Sequence, residues 1–156
     1  MKKSESGFAL IGLVVVACIL IGLFLIVFYT SGTNGRAQSA NNQRRVDVNA
    51  LFNAVEQYRQ NHNGTLPDGI TDKPKIISST LSDGAVNLCQ ALAPYLSTIP
   101  IDPVGGLAVP SNAPCTQQGM RYNSGYTIRI TQSKQVVVEA PSAENGANIF
   151  AGVKEP

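Results

Sequence analysis

Apolar residues along this chain of 156 residues follow three patterns. From Phe8 to Tyr29 they form one run of 22 positions without a charge. As α-helix, at about 1.5 Å per residue, the run reaches about 33 Å, enough for a hydrocarbon layer of about 30 Å. From Arg44 to Gly64 the pattern becomes periodic. Val48, Leu51, Phe52, Val55 and Tyr58 recur at spacings of three and four and share one helical face. This predicts an amphipathic helix with Arg44, Arg45, Asp47, Glu56 and Arg59 on its wet side. Asn63, Gly64 and Pro67 supply the stop signals. Between the two segments lies YTSGTNGRAQSANNQ. Its Gly, Ser, Thr and Asn residues each weaken a helix by roughly 0.5–1 kcal/mol relative to alanine, so a weak polar stretch is predicted from residue 31.

The third pattern is period two. YTIRI and QVVVEA alternate or are β-branched, and TQSK separates them, which predicts two antiparallel strands in a hairpin. Before them, TLPDGITDKPKI has the Pro, Gly and Asp content of a loop. In AVNLCQALAPYLSTI, Leu88, Leu92, Tyr95 and Leu96 fall at helical spacing, and Pro94 ends or bends that short helix. PIDPVGGL reads as a turn. The fold class is therefore α+β: a long N-terminal helix, apolar in its first half and amphipathic in its second, followed by a small head. The segments are 1–7, a short basic leader; 8–30, the apolar helix; 31–61, the weak polar stretch and the amphipathic helix; and 62–156, the head.

Charge refines this picture. Charged residues make up 14% of the chain, against about 25% in an average soluble domain, and the apolar run accounts for much of the deficit. A net charge of +2 gives no bulk electrostatic basis for nucleic-acid binding, which stays possible but unsupported. The apolar run exceeds the 7–15 residues of a secretory signal, so a membrane anchor is the simple reading. Basic residues flank it on both sides, Lys2 and Lys3 before it and Arg36, Arg44 and Arg45 after it, so charge alone leaves orientation open. The three cysteines form no CxxC pair. Cys18 lies in the apolar run. Cys89 and Cys115 lie in the head, as a disulfide if the head is outside the cytoplasm, or as two buried thiols if it is not.

The stretch KKSESGFALIGLVVVACILIGLFL combines a basic leader, Gly7 before Phe8, and the long apolar run. RRVDVNALFNAVEQYRQNHNGTLP follows, then YLSTIPIDPVGG. Together these resemble the precursors of type IV pilins and type II secretion pseudopilins over most of the chain. The resemblance implies cleavage after Gly7 by a prepilin peptidase and N-methylation of Phe8. It implies a single-pass protein of the cytoplasmic (inner) membrane with its head outside the cytoplasm. It further implies assembly with other pilin or pseudopilin subunits into a periplasmic or cell-surface filament whose core is built from the apolar helices. The chain departs from the family at Gly12. Most members carry glutamate at this fifth mature position, where the carboxylate is thought to pair with the terminal amine of a neighbouring subunit. Its absence is known for some minor subunits, including ones at filament tips.

Other candidate chemistry is sparse. His62 is the single histidine, so a histidine pair has no second member. No HExxH, GxSxG, P-loop or SxxK pattern occurs, and the chain is not read as an enzyme. No cofactor or metal is expected: Asp102 in IDPVGG is one acid, whereas calcium takes six or more oxygens. Asn63 begins an NGT sequon and Asn63 glycosylation stays open. Three functions remain: a filament subunit, a membrane-anchored module that binds DNA or a secreted protein without polymerising, and an enzyme with a membrane anchor, against which the absence of clustered His, Cys or acidic residues speaks. Type IV pilus, competence and type II secretion roles are not separated by the sequence.

Overall fold

A computed structural model describes residues 6–80, 82–111 and 113–153, with side chains throughout except in 6–11 and 27–34. Leader residues 1–5 lie outside the described residues. The elements are α1 Ser6–Asn61, β1 Lys75–Ser78, β2 Ala85–Val86, α2 Cys89–Leu92, β3 Leu107–Val109, β4 Arg121–Ile130, β5 Val136–Glu139 and β6 Phe150–Gly152. The chain divides into two compact units, one ending at Ala37 and the other beginning at Gln38.

The predicted weak stretch from residue 31 is helical. Its glycines and short polar residues lower propensity by about 1 kcal/mol each at most. None blocks the backbone as proline would, and α1 contains no proline. Propagation through a few poor residues is easier than starting a second helix, because the costly step is the nucleus. The helix ends where the stop signals stand. The amides of His62 and Gly64 both donate to the Arg59 carbonyl, and Asn63 and Gly64 take φ of 53° and 84°. Asparagine and glycine are the residues that tolerate this left-handed exit.

The second unit carries a six-stranded mixed sheet in the order β2-β1-β4-β5-β6, with β3 also paired to β4. Only β1 and β2 run parallel. β4 pairs antiparallel with β1, β3 and β5, and β5 pairs antiparallel with β6. Ile130 faces Val136 at the near end of the β4–β5 ladder and Thr127 faces Glu139 at the far end. β1, β2, β3 and β6 carry no pattern that predicts them. Each is two to four residues long, too short to display an alternation, and β1 follows the Pro and Asp residues that made its surroundings read as loop. α2 is a single turn, ending ahead of Pro94 as expected.

The core lies between the second half of α1 and the sheet. Val48, Leu51 and Val55 are fully buried, with Phe52 and Tyr58 packed at the margin, so the periodic face is the core face. Ile77, Tyr126, Ile128, Val136 and Val138 join them from the sheet, as do Leu92 of α2 and Leu88 just before it. Cys89 and Cys115 are disulfide-bonded with Cα atoms 5.6 Å apart. The bridge encloses the turn after α2 and all of β3. Because its two ends are 26 residues apart, closure entropy assigns it about 3–4 kcal/mol. The double variant Cys89→Ala/Cys115→Ala is expected to lose stability of that order, read as a lower urea midpoint of the head.

Candidate functional site

Two places concentrate unusual residues, one in each unit. In the first, Gly7 and Phe8 lie in the helical backbone of α1, and the Phe8 side chain is outside the described set. Gly12 is exposed, and a Cβ built there meets no atom within 4 Å. Leu13 to Ile21 are nine consecutive exposed, apolar residues. At 100° per residue they cover every side of the helix, so this segment has no polar face to turn to water. Cys18 is exposed and takes no part in a disulfide. The described side chains of the apolar run are those of 12–26, and among the described residues no helix is both long and apolar enough to cross a membrane.

The second place is a buried polar junction that corrects the reading of α1. Charge places Arg44 and Asp47 on the wet side, yet both are buried, Arg44 at 0% relative exposure. Their spacing explains why. Arg44 stands four residues before Val48, and Asp47 four before Leu51, so both continue the core stripe toward the N-terminus. Residue type pointed to solvent, whereas position pointed inward. Arg45, by contrast, is exposed as expected.

Arg44 grips Asp102 with two parallel bonds, Nε to Oδ2 at 2.7 Å and Nη2 to Oδ1 at 3.1 Å. Such a fork fixes orientation as well as distance. Its Nη1 donates to Asn41 Oδ1 at 2.9 Å and lies 3.4 Å from Glu144 Oε1. Asn41 in turn makes two bonds with the backbone of Glu144, donating to its carbonyl and accepting from its amide. Asp102 also organises its own turn. Its Oδ1 accepts from the amides of Val104 and Gly105 at 2.9 and 2.7 Å, and its carbonyl accepts from Gly106. One helical turn further on, Asp47 accepts from the Tyr126 hydroxyl of β4 at 2.6 Å and from Gln43. One stretch of helix thus holds the 102–106 turn, the loop around Glu144, and the middle of the sheet.

Glycines let these parts approach. β4 carries a bulge opposite β1, where Ser78 pairs with Asn123 and Ile76 with Thr127. Within it Gly125 has φ of 77°, and a Cβ there would lie 2.7 Å from the Cβ of Asp102. The Asp102 amide donates to Ser124 beside it. The sequence presents Asp102 as a simple turn residue. It does make the turn, but it is also the buried partner of Arg44.

The charges respond to this packing. Burial alone would push the Asp102 carboxyl up, but the bonds from Arg44, Gly105 and Val104 together outweigh it and hold the carboxyl below the usual range. The Arg44 guanidinium is held above its usual value, first by the bond to Asp102, against the opposing effect of burial. Burial, then the Asp47 carboxylate, pushes the Tyr126 hydroxyl up. Burial likewise raises Tyr122 to about 12, against the backbone groups of Leu88 and Cys89.

Among the remaining sequence candidates, His62 is exposed at the helix exit, stacked on Tyr58 with ring centroids 3.8 Å apart, and its Nδ1 lies 2.8 Å from the Tyr58 carbonyl. Asn63 is exposed. Among the described residues no group of three or more His, Cys, Asp or Glu side chains is placed to hold a metal ion. Compared with protein-family models, with curated proteins and with solved structures, the chain finds no match.

Breaking the buried pair from one side leaves a carboxylate without its counter-charge. Arg44→Met is expected to cost about 3–5 kcal/mol at pH 7 in urea unfolding. The Asp102 carboxyl titrates lower in the folded than in the unfolded chain, so its contribution is present above about pH 4 and is lost as pH falls through the folded value. The penalty of Arg44→Met should therefore shrink in the same measurement as pH is lowered, because protonating the carboxyl removes the charge that the guanidinium offsets. A penalty that does not change with pH would mean that packing, and not charge, sets the role of Arg44.

Proposed function

We propose that this chain is a structural subunit of a type IV pilin-like or pseudopilin filament, held in the inner membrane before assembly, with its head outside the cytoplasm. The observation that carries this reading is the segment Leu13–Ile21, apolar and exposed on every side, in the same helix whose later turns form the core of the head. In water such a segment has nowhere to put its apolar surface. Lipid tails satisfy it before assembly, and packed copies of the same helix satisfy it afterwards. In both settings a helix keeps its backbone polar groups bonded internally, which is what an environment without water demands. The disulfide between Cys89 and Cys115 suits a head in an oxidising compartment. On this reading prepilin peptidase cuts after Gly7, and the Phe8 amine becomes the methylated terminus.

Gly12 gives the proposal a finer form. A neighbour's terminal ammonium in a water-free core needs a counter-charge, and this subunit offers none at the fifth mature position. That suits a minor subunit at a filament end, with no neighbour whose amine it must meet. The head is read as non-enzymatic, a packing and contact surface.

Two outcomes are expected. Co-expression with an active prepilin peptidase should yield a chain seven residues shorter by intact mass, starting at methylated Phe8, and Gly7→Val should abolish the shift. An intact Met1 species under the same conditions would favour a membrane-anchored binding module over a filament subunit. Gly12→Glu tests the finer form, because the position has room for a side chain within the subunit. In a tip subunit the added carboxylate finds no amine and carries a lipid cost of up to ~2.5–3.5 kcal/mol, so filament yield should stay level or fall. A rise in yield would assign the chain to the filament shaft.

A further inference from the structure

Charge is shared unevenly along the buried stripe of α1. The Arg44 guanidinium is spent on Asp102, Asn41 and Glu144. Asp47, at 6% relative exposure, has no Lys, Arg or His of the described residues within 4 Å of its carboxylate. Its two bonds come from neutral groups. The Tyr126 hydroxyl donates to Oδ2 at 2.6 Å and the Gln43 amide to Oδ1 at 2.7 Å. An ionised carboxylate has about four acceptor sites, so each oxygen keeps one unused. A buried carboxylate is ordinarily offset by a cation. The neutral donors orient this one without offsetting its charge.

Asp47 also lines a pocket of about 300 Å³ between α1, the segment before the 102–106 turn, β3 and the residue that leads into β4. Ile99, Ile101, Ala108 and Met120 make its walls apolar. Asp47 is its buried end, and the exposed side chains of Gln43 and Thr98 mark its open end. Of the described residues that line it, none is Lys, Arg or His, and Asp47 is the single acid. The pocket thus presents one oriented negative charge in apolar surroundings, with the Gln43 amide oxygen and the Thr98 hydroxyl as further acceptors. Calcium takes six or more oxygens, so a single carboxylate among apolar walls suits it poorly. A primary ammonium suits it better, with three donors and no acceptor to set against three acceptor groups. An anion is repelled, and an alcohol leaves the charge unmet.

We infer that this pocket binds a primary ammonium carried on a short apolar stem, with the ammonium on the Asp47 carboxylate and the stem against Ile99, Ile101 and Met120. Tyr126 and Gln43 act as positioning residues that hold the carboxylate in place. A free alkylamine and a lysine side chain of another protein share this chemistry. The inference rests on the head alone and holds whether or not the chain forms filaments.

The test uses the full-length chain in a non-ionic detergent, with isotope-labelled Ile and Met methyl groups read by NMR. The probe is n-butylammonium chloride, titrated against sodium chloride at equal ionic strength. Saturable shifts of the Ile99, Ile101 and Met120 methyls are expected from n-butylammonium and not from n-butanol. Asp47→Asn keeps the shape of the side chain and should weaken binding about tenfold or more, through loss of a charge-assisted bond. Ala113→Leu narrows the pocket at a lining position with the carboxylate and its two donors intact, and should also weaken binding. That variant decides the question if Asp47→Asn does not fold. A lysine capped at both ends, titrated in parallel, separates the sources. Binding as tight as that of n-butylammonium assigns the pocket to a lysine of another protein, and weaker binding assigns it to a free amine. The proposal is overturned by any of three results: no saturable shift in the wild type, equal shifts from n-butanol, or undiminished binding by folded Asp47→Asn or, in its place, by Ala113→Leu.

Discussion

The fork between Arg44 and Asp102 is the contact on which the second unit is arranged. A buried guanidinium and a buried carboxylate are each costly to strip of water, and the cost is recovered only when geometry is good and the remaining donors and acceptors are used. Here they are used. Asp102 accepts from Val104 and Gly105 as well as from Arg44, and Arg44 reaches Asn41 and Glu144 beyond Asp102. The pair adds little net energy compared with an apolar filling of the same space. What it adds is position: two irregular segments with no ladder of their own are tied to particular residues of one helix.

That tie explains how so little regular structure makes a head. Apart from β4, no strand exceeds four residues. Short strands cannot define a register by alternation alone. β4 serves as the common partner of β1, β3 and β5, and its bulge at Gly125 seats the 102–106 turn against it. The disulfide then limits how far the segment containing that turn can stray in the unfolded chain. Helix, turn and sheet are held by different kinds of bond at neighbouring places.

Legibility in the sequence followed the length of each signal. The stripe Val48–Leu51–Val55 repeats often enough to name the buried face, and Asn63–Gly64 names the exit because left-handed residues are few. Tyr126–Ile130 and Val136–Glu139 read as strands from their β-branched content, and they are strands. β1 and β6 have too few residues to carry a pattern. The junction is hidden for another reason: charge puts Arg44 and Asp47 in water, although they sit on the core stripe. A charged residue in phase with a buried stripe is itself a signal, for it predicts an opposite charge arriving from elsewhere. The lone acid of IDPVGG was that partner.

Gly125 carries a consequence for how such a head can change over generations. Any other residue adds at least a Cβ, and that atom would press on the Cβ of Asp102, whose carboxylate Arg44 holds. A flexible neighbour would move aside, but this one cannot without surrendering the fork. No small step is open at this codon. Exposed positions such as Leu107 and Val109 on β3 stand on the same small scaffold without that restriction. Variation in a lineage of such chains would therefore accumulate along the outer strand while the bulge stays frozen, so the surface can be rewritten for new neighbours without reopening the question of how the head is held.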